Sequence, residues 1–182
     1  MKIQCGIFHI LLLTVLSNDV LSSSEINEEK IRRRGDNLML AVPSIALLGS
    51  FLVEKDLEGS KQILKSIIYT QIATELMKET LKKDRPNGNC CSFPSGHASA
   101  AFSGAGFIHK RYGFSYALPA YIASGYVAWS RVYSKKHFSL DVLAGAALGT
   151  YIGFKVATPY KKSRIEPFVS RDAVGIQLSG KW

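Results

Sequence analysis

Acidic residues are scarce in this chain. Fourteen Asp and Glu stand against 23 Lys and Arg, for a net charge of +9 and an isoelectric point near 9.5. The imbalance favours anionic partners, whether nucleic acid, lipid head groups or small phosphates. The basic residues are scattered, apart from Lys30-Ile31-Arg32-Arg33-Arg34 and the pair Lys161-Lys162. They neither gather on one face nor alternate with aromatics, which argues against a nucleic-acid reader. Cysteine is rarer still: of three, Cys5 lies in the first residues, leaving Cys90 and Cys91 side by side. One trans peptide holds neighbouring Cα atoms closer than a relaxed disulfide needs, so two small packed thiols are expected rather than a disulfide framework. No Cys or His cluster has ligand spacing, so no metal site is expected. Internal repeats and low-complexity segments are also missing.

What the chain does have is apolar length. Hydrophobic residues make up 47% of its 182 residues, charged residues 20%, and mean hydropathy is +0.07. One domain of this size buries a real core, and the mixture suits a compact helical domain or a small membrane protein. Residues 1–22 read as an export signal, with Lys2 as a positive start, Ile7 to Leu16 as an apolar centre, and Val20 and Ser22 as small residues before a cleavage point. The alternative is an uncleaved N-terminal anchor, for which the run is short against the ~20 residues of a spanning helix. Residues 23–182 then form the exported domain, periplasmic or membrane-associated and acting outside the cytoplasm.

The local patterns are helical. Ser23 to Asp36 is a charged lead-in or short helix, and Asn37 to Val53 carries no charge but contains Pro43. Asp56 or Ser60 caps a helix in which Ile63, Ile67, Ile68, Ile72 and Leu76 recur at helical spacing. It stops before Asp84-Arg85-Pro86, because the residue preceding a proline avoids the α region, and Asn87-Gly88 makes a turn. Further helices start at Pro94-Ser95, lie between Tyr112 and Ser130, and run from near Ser139 to about Ala157. In the last of these Gly145, Gly149 and Gly153 form a row; glycine costs a helix interior up to ~1 kcal/mol against alanine, so the row predicts a closely approaching helix. Val174, Ile176 and Leu178 alternate as a short terminal strand. The expected fold class is all-α, a helical bundle of about five to six helices with the active residues at helix ends. The uncharged runs from Asn37 and from Tyr112 are each about long enough to cross a bilayer core of ~30 Å.

Three segments carry chemistry when taken together. Lys78-x6-Arg85-Pro86 ends the amphipathic helix, Pro94-Ser95-Gly96-His97 opens the next, and Ser130-Arg131-x5-His137-x3-Asp141 bridges the last two. Singly, each has a plain structural reading: Lys78 and Arg85 as solvated cations, Pro-Ser-Gly-His as a helix start, His137 and Asp141 as a surface pair. Jointly they supply what phosphoryl transfer needs without a metal. Charge on the equatorial oxygens calls for cationic donors, and Lys78, Arg85 and Arg131 provide them. The N–H groups around Ser95, Gly96 and His97 at a helix start make an anion site, and Gly96 keeps bulk away from it. His97 and His137 come from separate segments, so one can attack in line while the other protonates the leaving oxygen. Asp141, one turn after His137, can accept its second ring N–H.

In this order, with every signature position occupied, the segments resemble the signature of the type 2 phosphatidic acid phosphatase and vanadium haloperoxidase superfamily, in its bacterial phosphatase branch. The motifs run from Lys78 to Asp141, and the helical context extends the likeness over most of residues 23–182. The resemblance implies a phosphatase that uses no metal and no cofactor. His137 would be the nucleophile that forms a phosphohistidine, Asp141 its orienting partner and His97 the general acid, while Lys78, Arg85, Ser95, Gly96 and Arg131 would bind phosphate. The implied substrate is a phosphate monoester or pyrophosphate, either of a lipid met at the membrane or of a small soluble molecule. The alternatives are a non-specific acid phosphatase on soluble esters, a vanadate-dependent haloperoxidase, and a basic membrane protein with a structural role. The last leaves the fully occupied signature unexplained.

Overall fold

A computed structural model describes residues 28–53 and 55–160, and the backbone of two strands at 164–169 and 174–179. The export signal expected at 1–22 lies outside the described residues. The helices are α1 Glu28–Leu48, α2 Leu57–Leu81, α3 Gly96–Tyr112, α4 Phe114–Tyr133 and α5 Ser139–Val156, with a π-helical turn, Gly49–Val53, extending α1. The all-α bundle is as expected. Val174–Ser179 is the expected terminal strand, β2, and it pairs antiparallel with β1, Arg164–Val169, in register Val169↔Val174 to Arg164↔Ser179.

Most helix ends have the local cause read from the sequence. Asp56 caps α2, its carboxylate accepting the N–H of Glu58 at 2.9 Å and of Gly59 at 3.3 Å. The turn at Asn87-Gly88 forms, with Gly88 at φ 81° donating to the Arg85 carbonyl at 3.0 Å. Ser95 is the N-cap of α3, and Gly113, at φ 99°, is the single residue between α3 and α4. One boundary differs. The charged lead-in and the uncharged run after it are a single helix, because α1 starts at Glu28 and continues through Pro43. A proline in a helix interior forfeits one backbone bond. Here the loss is offset by packing, since Pro43 is buried and its backbone lies 3.0 Å from where a Cβ on Gly104 of α3 would stand.

The glycine row of α5 does what its spacing predicts. A Cβ on Gly145, Gly149 or Gly153 would run into the carbonyl oxygens of Ser95, Ser99 and Ser103 respectively. Two matched ladders with the same four-residue step therefore lock α3 and α5 side by side, running in the same direction. Both helices consequently start at the same end of the bundle, and their positive dipole ends converge there.

The interior combines a few large apolar side chains, among them Phe107, Ile63, Ile108 and Val127, with many small and polar ones. Ala98, Ala101, Ala105, Ala117, Ser99, Ser103 and Ser124 are fully buried, whereas Leu40, Leu76, Ile122, Leu140, Leu143 and Tyr151 are each more than 60% exposed. Glu28–Leu52 is the one stretch among the described residues that is long and apolar enough, by length and composition, to cross a membrane.

Candidate active site

The converging ends of α3 and α5 bring the sequence motifs together. The Ser95 N–H donates to the Asp141 carbonyl at 2.9 Å, which fixes the start of α3 to the first turn of α5. Lys78, in the last turn of α2, reaches the start of α3. Its Nζ lies 3.3 Å from where a Cβ on Gly96 would stand, and it pairs with the exposed Glu75 at 2.8 Å. The ammonium thus sits over the N-terminus of α3, and any side chain larger than hydrogen at residue 96 would push it away.

His137 lies in the segment between α4 and α5, with its side chain only 4% exposed. Its Nδ1 is 2.7 Å from the Ser92 carbonyl oxygen, which can only accept, so Nδ1 carries the hydrogen and the Nε2 lone pair is left free in the neutral ring. Burial is the main force pushing the imidazole down, to about 4, and the nearby Arg85 and His97 charges add to it against the Ser92 and Asp141 contacts. Above that pH the ring is neutral and able to attack.

Asp141 was expected to take the His137 ring N–H, but the Nδ1–Oδ2 separation is 4.0 Å and the Ser92 carbonyl stands in its place. Asp141 is fully buried and works one step removed. It accepts from the Ser92 hydroxyl, from Lys83 Nζ at 2.6 Å and from the Phe138 N–H at 2.9 Å. Burial alone would raise its carboxyl, but those three donors hold it below the ordinary carboxylate range. Ser92 therefore ties aspartate to histidine with both its carbonyl and its hydroxyl.

The second histidine belongs to a different group. His97, in the first turn of α3, is about one-third exposed, and its Nε2 donates to Asp36 Oδ1 of α1 at 3.0 Å. Among the described residues its Nδ1 makes no hydrogen bond. Arg131, from the last turn of α4, meets the same carboxylate: its terminal nitrogens donate to Asp36 Oδ1 at 2.7 Å and to the Arg32 carbonyl at 2.6 Å, and its Nε to the Ser130 hydroxyl at 3.2 Å. Arg131 is thus beside His97 as expected, with three of its five N–H groups turned to α1 and to its own neighbour. Arg85 differs: its buried Nε has no hydrogen-bond partner, a charged donor without an acceptor.

The eight residues singled out from sequence all lie at this end of the bundle. Asp36, Lys83 and Ser92 were missed. None has a motif spacing to mark it, and each acts through a contact between segments far apart in the chain. The sulfurs of Cys90 and Cys91 also correct the expectation of two free thiols. They are joined in a disulfide between neighbours, with Cys91 in the left-handed region at φ 69°, so the short ring closes by bending the backbone instead of separating the Cα atoms. Among the described residues, no group of three or more His, Cys, Asp or Glu is arranged to hold a metal ion.

The family profile of the PAP2 superfamily matches residues 87–164. The chain is 29% identical to the lipid A 4'-phosphatase of Helicobacter pylori, over 99% of this chain and 96% of that protein. It is 37% identical over 73 residues to the lipid A 1-phosphatase of Porphyromonas gingivalis, a match that covers 38% of this chain and 16% of that one. Among solved structures, a transmembrane PAP2-type phosphatidylglycerolphosphate phosphatase of Bacillus subtilis superposes with a TM-score of 0.58 at 25% identity, over 84% of this chain and 92% of that one. LpxE of Aquifex aeolicus superposes with a TM-score of 0.54 at 20% identity, over 75% and 98%, which speaks to the fold alone.

Proposed function

We propose that this chain is a phosphatase of the PAP2 superfamily, whose profile it matches over residues 87–164, and that it removes a phosphate monoester from a membrane lipid of the lipid A class, through a phosphohistidine on His137 and without a metal. The observation that carries this reading is His137 itself: buried, neutral above about pH 4, its Nδ1–H tied back to Ser92 and its Nε2 lone pair free among cations. Nε2 attacks phosphorus as the bond to the leaving oxygen breaks, and that oxygen takes a proton from His97. Water then attacks the phosphohistidine, gives a proton back to His97 and releases inorganic phosphate. Lys78 above Gly96, the unpartnered Arg85 Nε, the N–H groups at the start of α3 and the remaining N–H groups of Arg131 bear the charge that builds on the equatorial oxygens.

A lipid substrate is supported by the surface. Large apolar side chains on the outer faces of α1, α2, α4 and α5 are a poor match for water, while the glycine row of α5 packs closely on α3 in a manner common in bilayers. The site lies at one end of the bundle, where Lys82, Lys135 and Lys136 would meet anionic head groups outside the cytoplasm. Both curated relatives act on lipid A. The test is phosphate release from a panel holding lipid A, phosphatidylglycerophosphate, phosphatidate and soluble esters, with and without chelator. Lipid A should lead, untouched by chelator and blocked by vanadate. Preference for a soluble ester, or loss of activity on chelation, would contradict the proposal.

A further inference from the structure

Among the described residues, Asp36 is the one carboxylate that touches the proposed proton donor. Its Oδ1 accepts from His97 Nε2 at 3.0 Å and from Arg131 at 2.7 Å, and its Oδ2 from Arg32 at 3.1 Å. It sits on α1, a helix that none of the three motifs reaches. The placement is sterically tight, because a Cβ on the preceding Gly35 would collide with the Ser130 side chain and stand 2.7 Å from an Arg131 nitrogen. A glycine there lets α1 lie against the end of α4 and delivers the carboxylate to the histidine.

We infer that Asp36 is the positioning residue of the acid histidine: it holds His97 through Nε2–H, so that Nδ1 is the nitrogen left to face the leaving oxygen, and it supplies the negative charge that lets the ring carry a second proton among cations. This rests on the proposed role of His97 as proton donor. The need is physical. The charged groups facing His97 are Arg131 from α4, Lys78 from α2, Asp36 with Arg32 behind it on α1, and His137 from the segment before α5. Burial lowers the His97 pKa most, Arg131 and Lys78 lower it further, and Asp36 alone opposes them. An acid that must give its proton to an alkoxide has to hold that proton first. The site thus has two acid–histidine arrangements: Asp141 acts through Ser92 on a ring kept neutral, and Asp36 acts directly on a ring whose affinity for a second proton is lowered by burial and cations and partly restored by that carboxylate.

The experiment compares kcat/KM for octyl phosphate, a poor leaving group, with 4-nitrophenyl phosphate, a good one, across pH, in wild type, Asp36→Asn, Asp36→Glu and His97→Ala. Asp36→Asn keeps the shape and the acceptor oxygen for Arg131 but loses the charge. It should lose about tenfold or more on octyl phosphate and less than about threefold on the nitrophenyl ester. The fall of octyl phosphate turnover with rising pH should move to lower pH in Asp36→Asn and stay in place in Asp36→Glu. Equal losses on both esters with an unmoved pH limb would make Asp36 a structural tie for Arg131 and overturn the inference. If His97→Ala shows no leaving-group split, the acid role itself fails. If it does and Asp36→Asn does not, only the role of Asp36 fails. Should Asp36→Asn not fold, nitrogen-15 histidine spectra of the wild type still decide: neutral His97 should carry its hydrogen on Nε2, and a hydrogen on Nδ1 contradicts the assignment.

Discussion

At the residue scale, the proposed mechanism turns on two imidazoles with the same intrinsic chemistry and different hydrogen-bond partners, Ser92 for His137 and Asp36 for His97. The buried His137 is held at about 4, so kcat/KM, once the ester's own second ionisation is allowed for, should stay level down to about pH 5 and fall by half near 4. An acid limb near 6.5 would show that burial does not act on the nucleophile. The same shift bears on stability. Unfolded histidine takes up a proton near 6.5, so the contribution of the neutral buried ring is complete above that pH and is lost as pH falls through about 4, a swing of about 3 kcal/mol readable in pH-dependent melting. His137→Ala should lower turnover by at least about 10⁴-fold while leaving the fold intact. Asp141→Asn should cost at least about tenfold less, because the Ser92 carbonyl goes on holding the ring. The motif residues were legible because phosphoryl transfer, as proposed, calls for their types, and because their order resembles a known signature. Asp36, Lys83 and Ser92 were not, because each matters through contacts spanning from 45 to 95 positions, such as Ser92 with His137 and Asp36 with Arg131, and no local spacing encodes them.

Helices were legible where a residue has only one reasonable use. Asp56 as a cap, Gly88 in a turn and Gly113 between helices each have few alternatives, and the glycine row of α5 announced a neighbour without naming it. The structure supplies the name: α3, through the carbonyls of Ser95, Ser99 and Ser103. The start of α1 was misjudged because a charged segment beside an apolar one reads as a boundary, whereas here the charged turns are the part that clasps Arg131. Two alanine substitutions test the packing. Gly149→Ala forces a methyl into the Ser99 carbonyl and should destabilise by about 2 kcal/mol, lowering both the melting temperature and activity. Gly125→Ala, on an open face of α4 with nothing within 4 Å, should be neutral or gain up to about 1 kcal/mol. Equal effects in the two variants would mean that α5 does not lie against α3 as described.

The whole molecule packs many small and polar residues beside a few large apolar ones inside, exposes many large apolar side chains, and gathers its signature at one end, with Lys82, Lys135 and Lys136 beside it. The proposed embedding in a bilayer would bring a lipid head group to the proposed site while the outer helix faces stay among acyl chains. The protein should therefore remain with the membrane fraction after alkaline carbonate extraction; release into the supernatant would contradict the embedding. The most direct measurement of the central claim is rapid acid-free quenching of the enzyme with a phosphorus-32 lipid phosphate ester, followed by mapping of the label. The account predicts one labelled histidine, His137, with a bond stable to alkali and labile to acid, and no label in His137→Ala. Turnover of the same ester with no labelled enzyme at any time, or with the label on another residue, would contradict it.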